Sequence, residues 1–263
     1  MRKIFLFFIV FLSVIANAQT RINYILQIRY PDKTEKKFSM NLDIQDDLVS
    51  FYDEELLKGM IKASKSNQLV FHHTKTKENH LIVFTFETQP FKIQSTNKIN
   101  WELVNEFKQI NQYKLQKATV TFGERKWTAW FCPEINIMEG PYNFRDLPGL
   151  IFELTDSENI FVYTLTGIEK FKKDTKKLNF DLDKTQNITW EKYNKLMTDF
   201  FENPFLKQRT QLSNGIELNV DDKDVKVQDL NKMTSDFQKS LKMTFPPAIE
   251  LDNFSFYKYK ILQ

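Results

Sequence analysis

The stretch Arg21-Ile-Asn-Tyr-Ile-Leu-Gln-Ile-Arg-Tyr30 decides the fold. Ile22, Tyr24, Leu26, Ile28 and Tyr30 fall on every second position, the period that sends alternate side chains to one face of a strand. After the turn residues Pro31-Asp32-Lys33, Phe38, Met40, Leu42 and Ile44 repeat the pattern. Two antiparallel strands with one buried face follow from this spacing.

Strand character returns along the chain. Leu69 to His73 and Leu81 to Thr88 flank the polar turn 74–79, and Ile99 to Phe107 holds a strand around Trp101. Tyr113 to Gly123 with Arg125 to Phe131, and Leu150 to Thr155 with Ile160 to Ile168, read as hairpins rich in β-branched and aromatic residues. Three segments have helical spacing. Asp53 to Lys65 carries Leu56, Leu57, Met60 and Ile61, Trp190 to Glu202 has Thr189 as N-cap, and Val227 to Met243 ends before Pro246-Pro247. Ser213-Asn214-Gly215 and 221–224 read as turns. No repeat or linker interrupts residues 19–263. The expected fold is one α+β, mostly β domain: a curved antiparallel sheet, half-barrel-like, with a few helices packed on one side.

Outside this domain, residues 1–18 have their own logic. Arg2 and Lys3 precede an apolar run from Ile4 to Leu12, and the segment closes on Ala16-Asn17-Ala18. This is the order of a secretory signal peptide, with cleavage expected after Ala18. Ile4 to Ala16 falls short of the roughly 20 residues that span a bilayer, and no later segment approaches that length. Cleavage removes two cations and no acid, so the formal charge of +3 becomes +1, with 35 cations against 34 acids. So balanced a charge gives no footprint for nucleic acid. Cys132 is the single cysteine, which excludes an intrachain disulfide despite export, and its distance from the leader excludes a lipidated first residue. The expected location is the periplasm or the cell surface.

Residues 118–154 concentrate the special side chains: Trp127 and Trp130, three of eight Pro and three of six Gly. Gly140-Pro141 and Pro148-Gly149 are turn signals that fix a loop carrying Tyr142 and Phe144. The stretch 117–131, Pro133-Glu-Ile135, Gly140-Pro-Tyr-Asn-Phe144 and Leu147-Pro-Gly-Leu-Ile151 together resemble the GLPGLI family of exported proteins typical of Bacteroidota-type bacteria. The resemblance is strong over about residues 113–170. It implies export and a β-rich fold, and brings no established activity. Asp146 stands where the family motif begins with Gly; Asp suits such a turn because it tolerates left-handed backbone.

Chemistry is sparse. His72, His73 and His80 lie in one hairpin, and a turn at Thr76-Lys77 would set His73 opposite His80. That offers two ligands where a metal site usually has three or four, so no metal is assigned. There is no Gly-x-Ser-x-Gly, and Cys132 between Phe131 and Pro133 reads as a small semi-buried hydrophobe at a strand end. Glu134, Glu139, Asp146 and Glu153 surround the aromatic loop, with Arg125, Lys126 and Arg145 as ion-pair partners. The Lys170 to Lys177 run reads as a solvated hairpin end.

The reading that follows is a non-catalytic binding protein for an apolar ligand, a lipid or a cell-envelope protein. Trp127, Trp130, Tyr142, Phe144, Arg145 and Asp146 are its candidate binding residues. No catalytic set, metal or cofactor is assigned. The alternative is an exported hydrolase acting on glycan or peptide through carboxylates near residues 140–151. A third reading gives the motif a purely structural role in reversing the chain.

Overall fold

The computed structural model describes residues 19–59, 63–95, 98–172, 174–220 and 223–262. The expected leader, residues 1–18, lies outside them, as do Met60 and Ile61 of the first expected helix and Asp221-Asp222 of the expected turn. The strands are β1 (Thr20–Arg29), β2 (Glu35–Gln45), β3 (Leu48–Asp53), β4 (Leu69–His73), β5 (Asn79–Phe84), β6 (Pro90–Ser95), β7 (Glu102–Ile110), β8 (Tyr113–Phe122), β9 (Arg125–Cys132), β10 (Leu150–Asp156) and β11 (Phe161–Lys170). They form one antiparallel sheet in the order β6-β5-β4-β3-β2-β1-β11-β10-β9-β8-β7. The opening strands pair as their pattern predicts, with Ile22 opposite Leu42, Tyr24 opposite Met40 and Leu26 opposite Phe38.

Connectivity forces the sheet to curl. The two edges, β6 and β7, are consecutive in the chain. Eleven strands laid flat would place those edges roughly 48 Å apart. The seven Cα steps from Ser95 to Glu102 reach at most about 25 Å. The sheet therefore bends into an open half-barrel, and no ladder joins β6 to β7.

The concave face holds the main core, including Ile22, Tyr24, Leu26, Phe51, Trp127, Phe131 and Phe161. A second cluster, Tyr52, Leu57, Leu69, Phe71, Ile82 and Phe84, lies apart from it under Leu178, Phe180 and Leu182. Strands β3 to β5 are thus buried on both faces, which is why Leu69-Val-Phe71 is apolar without alternation.

The helices are α1 (Glu54–Lys58), α2 (Trp190–Glu202), α3 (Leu206–Ser213) and α4 (Val227–Thr244), with a π-helical turn at Tyr257–Ile261. A two-residue hairpin, β12 (Asn219–Val220) and β13 (Lys223–Asp224), precedes α4. Thr189 caps α2, accepting from the Lys192 amide at 3.3 Å. Helix α2 buries Tyr193, Met197 and Phe201 among Phe245, Phe254 and Phe256. Helix α1 is shorter than its apolar spacing predicts: Gly59 takes left-handed backbone, φ 70°, and ends it. Strand β3 occupies the residues just before it, and β6 and α3 also go beyond the sequence reading.

Candidate functional site

The family-like loop, residues 133–149, folds into the half-barrel. Buried backbone must find partners, and here it does. The Asp146 amide donates to Met138 O at 2.8 Å, Phe144 to Pro141 O at 3.0 Å, and Leu150 to Ile135 O at 3.1 Å. Gly140 and Gly149 mark close approaches. A Cβ on Gly140 would lie 2.6 Å from Ile151 Cδ1, and one on Gly149, at φ 151°, would collide with Cys132 O. Tyr142 and Asp146 both take left-handed backbone, at φ 53° and 70°. Left-handed backbone at Asp146 is the conformation that Gly takes without strain and Asp tolerates.

Four of the six candidate residues come together inside this plug. Phe144 is fully buried, its ring centroid 4.6 Å from that of Trp127 and 6.4 Å from that of Tyr142. Trp127 donates from Nε1 to Phe122 O at 3.0 Å. Arg145 is buried at the seam of the half-barrel: Nη1 donates to Asn79 Oδ1 on β5, and its carbonyl accepts from Trp101 Nε1, just before β7, at 2.8 Å. Its Nε lies 3.4 Å from Glu139, and His72 Nε2 lies 3.6 Å from the same carboxyl. Burial pushes the Glu139 carboxyl up to about 7 against the pull of Arg145. Burial, then Arg145, hold His72 down at about 4. The remaining two candidates are elsewhere. Trp130 points to the opposite face of β9, under Lys108 Nζ at 4.5 Å, and Asp146 is exposed.

The carboxylates near the loop are paired or solvated: Glu139 with Arg145, Glu153 with Lys108, and Glu134 exposed. Cys132 is buried at the end of β9. The histidine geometry needs a correction. His80 pairs with Phe71, so His73 and His80 sit diagonally on one face with centroids 6.1 Å apart, and His72 is a core residue. The turn is centred one residue earlier than Thr76-Lys77, with the Lys77 amide closing on His73 O. Among the described residues no group of three or more His, Cys, Asp or Glu is placed to hold a metal.

Beside the plug lies a small cleft of about 40 Å³. Trp190, Tyr193 and Phe254 form one wall, Pro246, Pro247 and Ile249 another, and Leu81 and Val83 the sheet side. Tyr193 and Phe254 stack at 5.4 Å. The polar end is made by Ser66, Gln68, Tyr142 and Glu250. Tyr142 donates to Glu250 at 2.6 Å and Asn253 donates to its other oxygen at 2.8 Å. Burial raises the Glu250 carboxyl, and these donors offset part of that. The 246–251 wall is strapped to the motif: Arg125 gives two hydrogen bonds to Ala248 O, at 3.1 and 3.0 Å, and the Leu251 amide reaches Gly123 O at 3.2 Å. Of the six sequence candidates, Tyr142 lines the cleft. Gln68, Trp190, Tyr193, Glu250 and Phe254 were not read from the sequence as site residues. No local signal marks Gln68, and Pro246-Pro247 reads there as a helix stop.

A family model described as a protein of unknown function (Porph_ging) matches residues 122–153, the segment from the end of β8 into β10. No curated protein matches the chain. Two crystal forms of PNGF-II share the fold, with TM-scores of 0.53 and 0.52 at 16% and 15% identity; each likeness covers 69% of this chain and 33% of PNGF-II. The chain thus spans about a third of the length of these neighbours, and the likeness concerns fold. A LolA superfamily protein from Nitrosomonas europaea aligns over 63% of this chain and 92% of its own at 10% identity, with a TM-score of 0.23, too low to carry an argument.

Proposed function

We propose that the protein is a non-catalytic binding protein of the cell envelope, of the GLPGLI type, exported by cleavage after Ala18. Its ligand site is the cleft between α2, β5 and the 246–250 segment. One observation carries this reading: the small cleft is lined by aromatic and proline residues together with a few buried polar groups, the lining chemistry of a small-molecule site. The motif loop supports the site rather than forming most of its lining. Trp127 and Phe144 pack beneath Tyr142, and Tyr142 presents its hydroxyl to Glu250. The hydrolase alternative asks for two carboxyls facing each other across a concavity. Among the described residues the cleft is lined by one, Glu250.

Native mass spectrometry of gently purified protein tests the reading. A bound small molecule is expected, and it should be lost in Ala248→Phe, which narrows the cleft. The reading fails if the wild-type protein carries no adduct and takes up no apolar dye. Export is tested separately by the intact mass of protein recovered from the producing cell's envelope. It should begin at Gln19, and an uncleaved Met1 would refute the leader assignment.

A further inference from the structure

Cleavage after Ala18 would make Gln19 the first residue of the mature chain, and the fold gives that residue a defined setting. Its carbonyl accepts from the Phe171 amide at 2.8 Å, one step beyond the Thr20–Lys170 pair of the β1–β11 ladder. That bond uses the carbonyl and not the α-nitrogen, so freeing the nitrogen leaves the ladder intact. The side-chain amide lies between two opposite charges. Lys177 Nζ donates to Oε1 at 3.0 Å, and Nε2 donates toward Asp46 Oδ2 at 3.5 Å. These partners set the orientation of the amide, because the reverse would face donor to ammonium and acceptor to carboxylate. Lys177 is itself placed over the Phe171 ring, 5.8 Å from its centroid. An amide oxygen that accepts from an ammonium polarises its carbon toward attack, and in a glutamine that begins a chain the attacking group is its own α-amine.

We propose that Gln19 is a modification site, at which the mature N-terminus closes to pyroglutamate. The inference rests on the cleavage after Ala18 proposed above and is independent of the cleft. The α-nitrogen attacks Cδ and forms the lactam bond. The Cδ–Nε2 bond breaks, and Nε2 leaves as ammonia with the proton that the attacking nitrogen gives up. No oxidant, water or cofactor is consumed. Lys177 is the positioning residue: its ammonium stabilises the charge that builds on Oε1 during the attack, while the Asp46 carboxylate faces the nitrogen that must gain a proton. The product suits its surroundings. It keeps the Gln19 carbonyl for Phe171 and the ring oxygen for Lys177, and it removes the charge of an α-amine from a strand end that already carries Lys170 and Lys177.

Protein exported and recovered from the cell envelope gives the first test. Its intact mass should be one ammonia below that of the open 19–263 chain, Edman degradation should be blocked, and the tandem mass spectrum of the first peptide should place the loss on Gln19. A chain that starts at Gln19 with a free amine and full mass overturns the ring and leaves the cleavage site standing; any other first residue overturns both. The part played by the fold is read on mature chain released in vitro from a cleavable N-terminal fusion, so that Gln19 comes first. The folded protein should close at least about threefold faster than the same chain in guanidinium. Lys177→Met, once shown folded by its melting transition, should close no faster than the unfolded chain. Folded wild type that closes no faster than the unfolded chain, or a Lys177→Met variant that closes as fast as folded wild type, overturns the role of Lys177.

Discussion

Two residues of the motif loop show how one backbone requirement differs in cost with its surroundings. Gly149 has φ 151° and no room for a Cβ against Cys132 O, whereas Asp146 has φ 70° on an exposed turn. Gly149→Ala should therefore cost at least about 2 kcal/mol in denaturant unfolding. Asp146→Gly, which suits left-handed backbone, should stay within about 1 kcal/mol of wild type. Glu139 gives a pH signature. Its folded value of about 7 exceeds the unfolded value of 4.5, so between these pH values the native state holds a proton that the unfolded chain has lost. Stability through this group is full below pH 4.5, falls as pH rises to about 7, and is level above; the ceiling is about 3 kcal/mol. His72, held at about 4, acts with the opposite sign over pH 4 to 6.5. The difference between wild type and Glu139→Gln in urea titrations across pH 4.5 to 7.5 isolates the carboxyl, and the falling segment should vanish in the variant.

At the scale of elements, capping and pairing decide where the chain turns. Thr189 ends the 171–188 segment and starts α2, and that segment also covers the β6 edge: the Lys92 amide donates to Gln186 O at 2.8 Å and the Ile188 amide to Lys92 O at 3.0 Å. An edge covered in this way is no longer a free template for another strand. Thr189→Ala should cost about 1 kcal/mol in the thermal or denaturant transition. The cost should also weaken the aromatic wall of the cleft, since Trp190 and Tyr193 are the first turn of α2. Period-two strands and helix α2 were legible because each buries one face. Strand β3 carries no period-two signal in the sequence, and helix α1 is shorter than its spacing predicts. Leu56 and Leu57 suggested a longer helix, while β3 is buried on both sides and shows no alternation; Gly59 then stopped the helix after Lys58.

For the whole molecule, the seam matters most. Arg145 bonds Asn79 on one side of the open half-barrel and Trp101 on the other, so it ties the two ends of the sheet through the inserted loop. Arg145→Met should cost about 3 kcal/mol by leaving Glu139 buried without its cation, and the Arg145→Met/Glu139→Gln double variant should recover part of that loss. Non-additivity measured by urea unfolding is the check; strictly additive losses would place the two side chains in independent roles. The sequence by itself determined the strand periods, the antiparallel hairpins, the turn chemistry of the motif and the missing disulfide, because these depend on neighbours a few residues apart. It singled out Trp127, Tyr142 and Phe144 as special without showing that they face inward, and it set Trp130 beside them although the pleat turns it to the other face. The curl of the sheet, the loop inside it and the cleft were decided by tertiary structure. Gln68, Tyr142, Tyr193 and Glu250 are scattered over more than 180 positions, and they meet only when burial of the concave face brings the strands, the loop and the closing segment together.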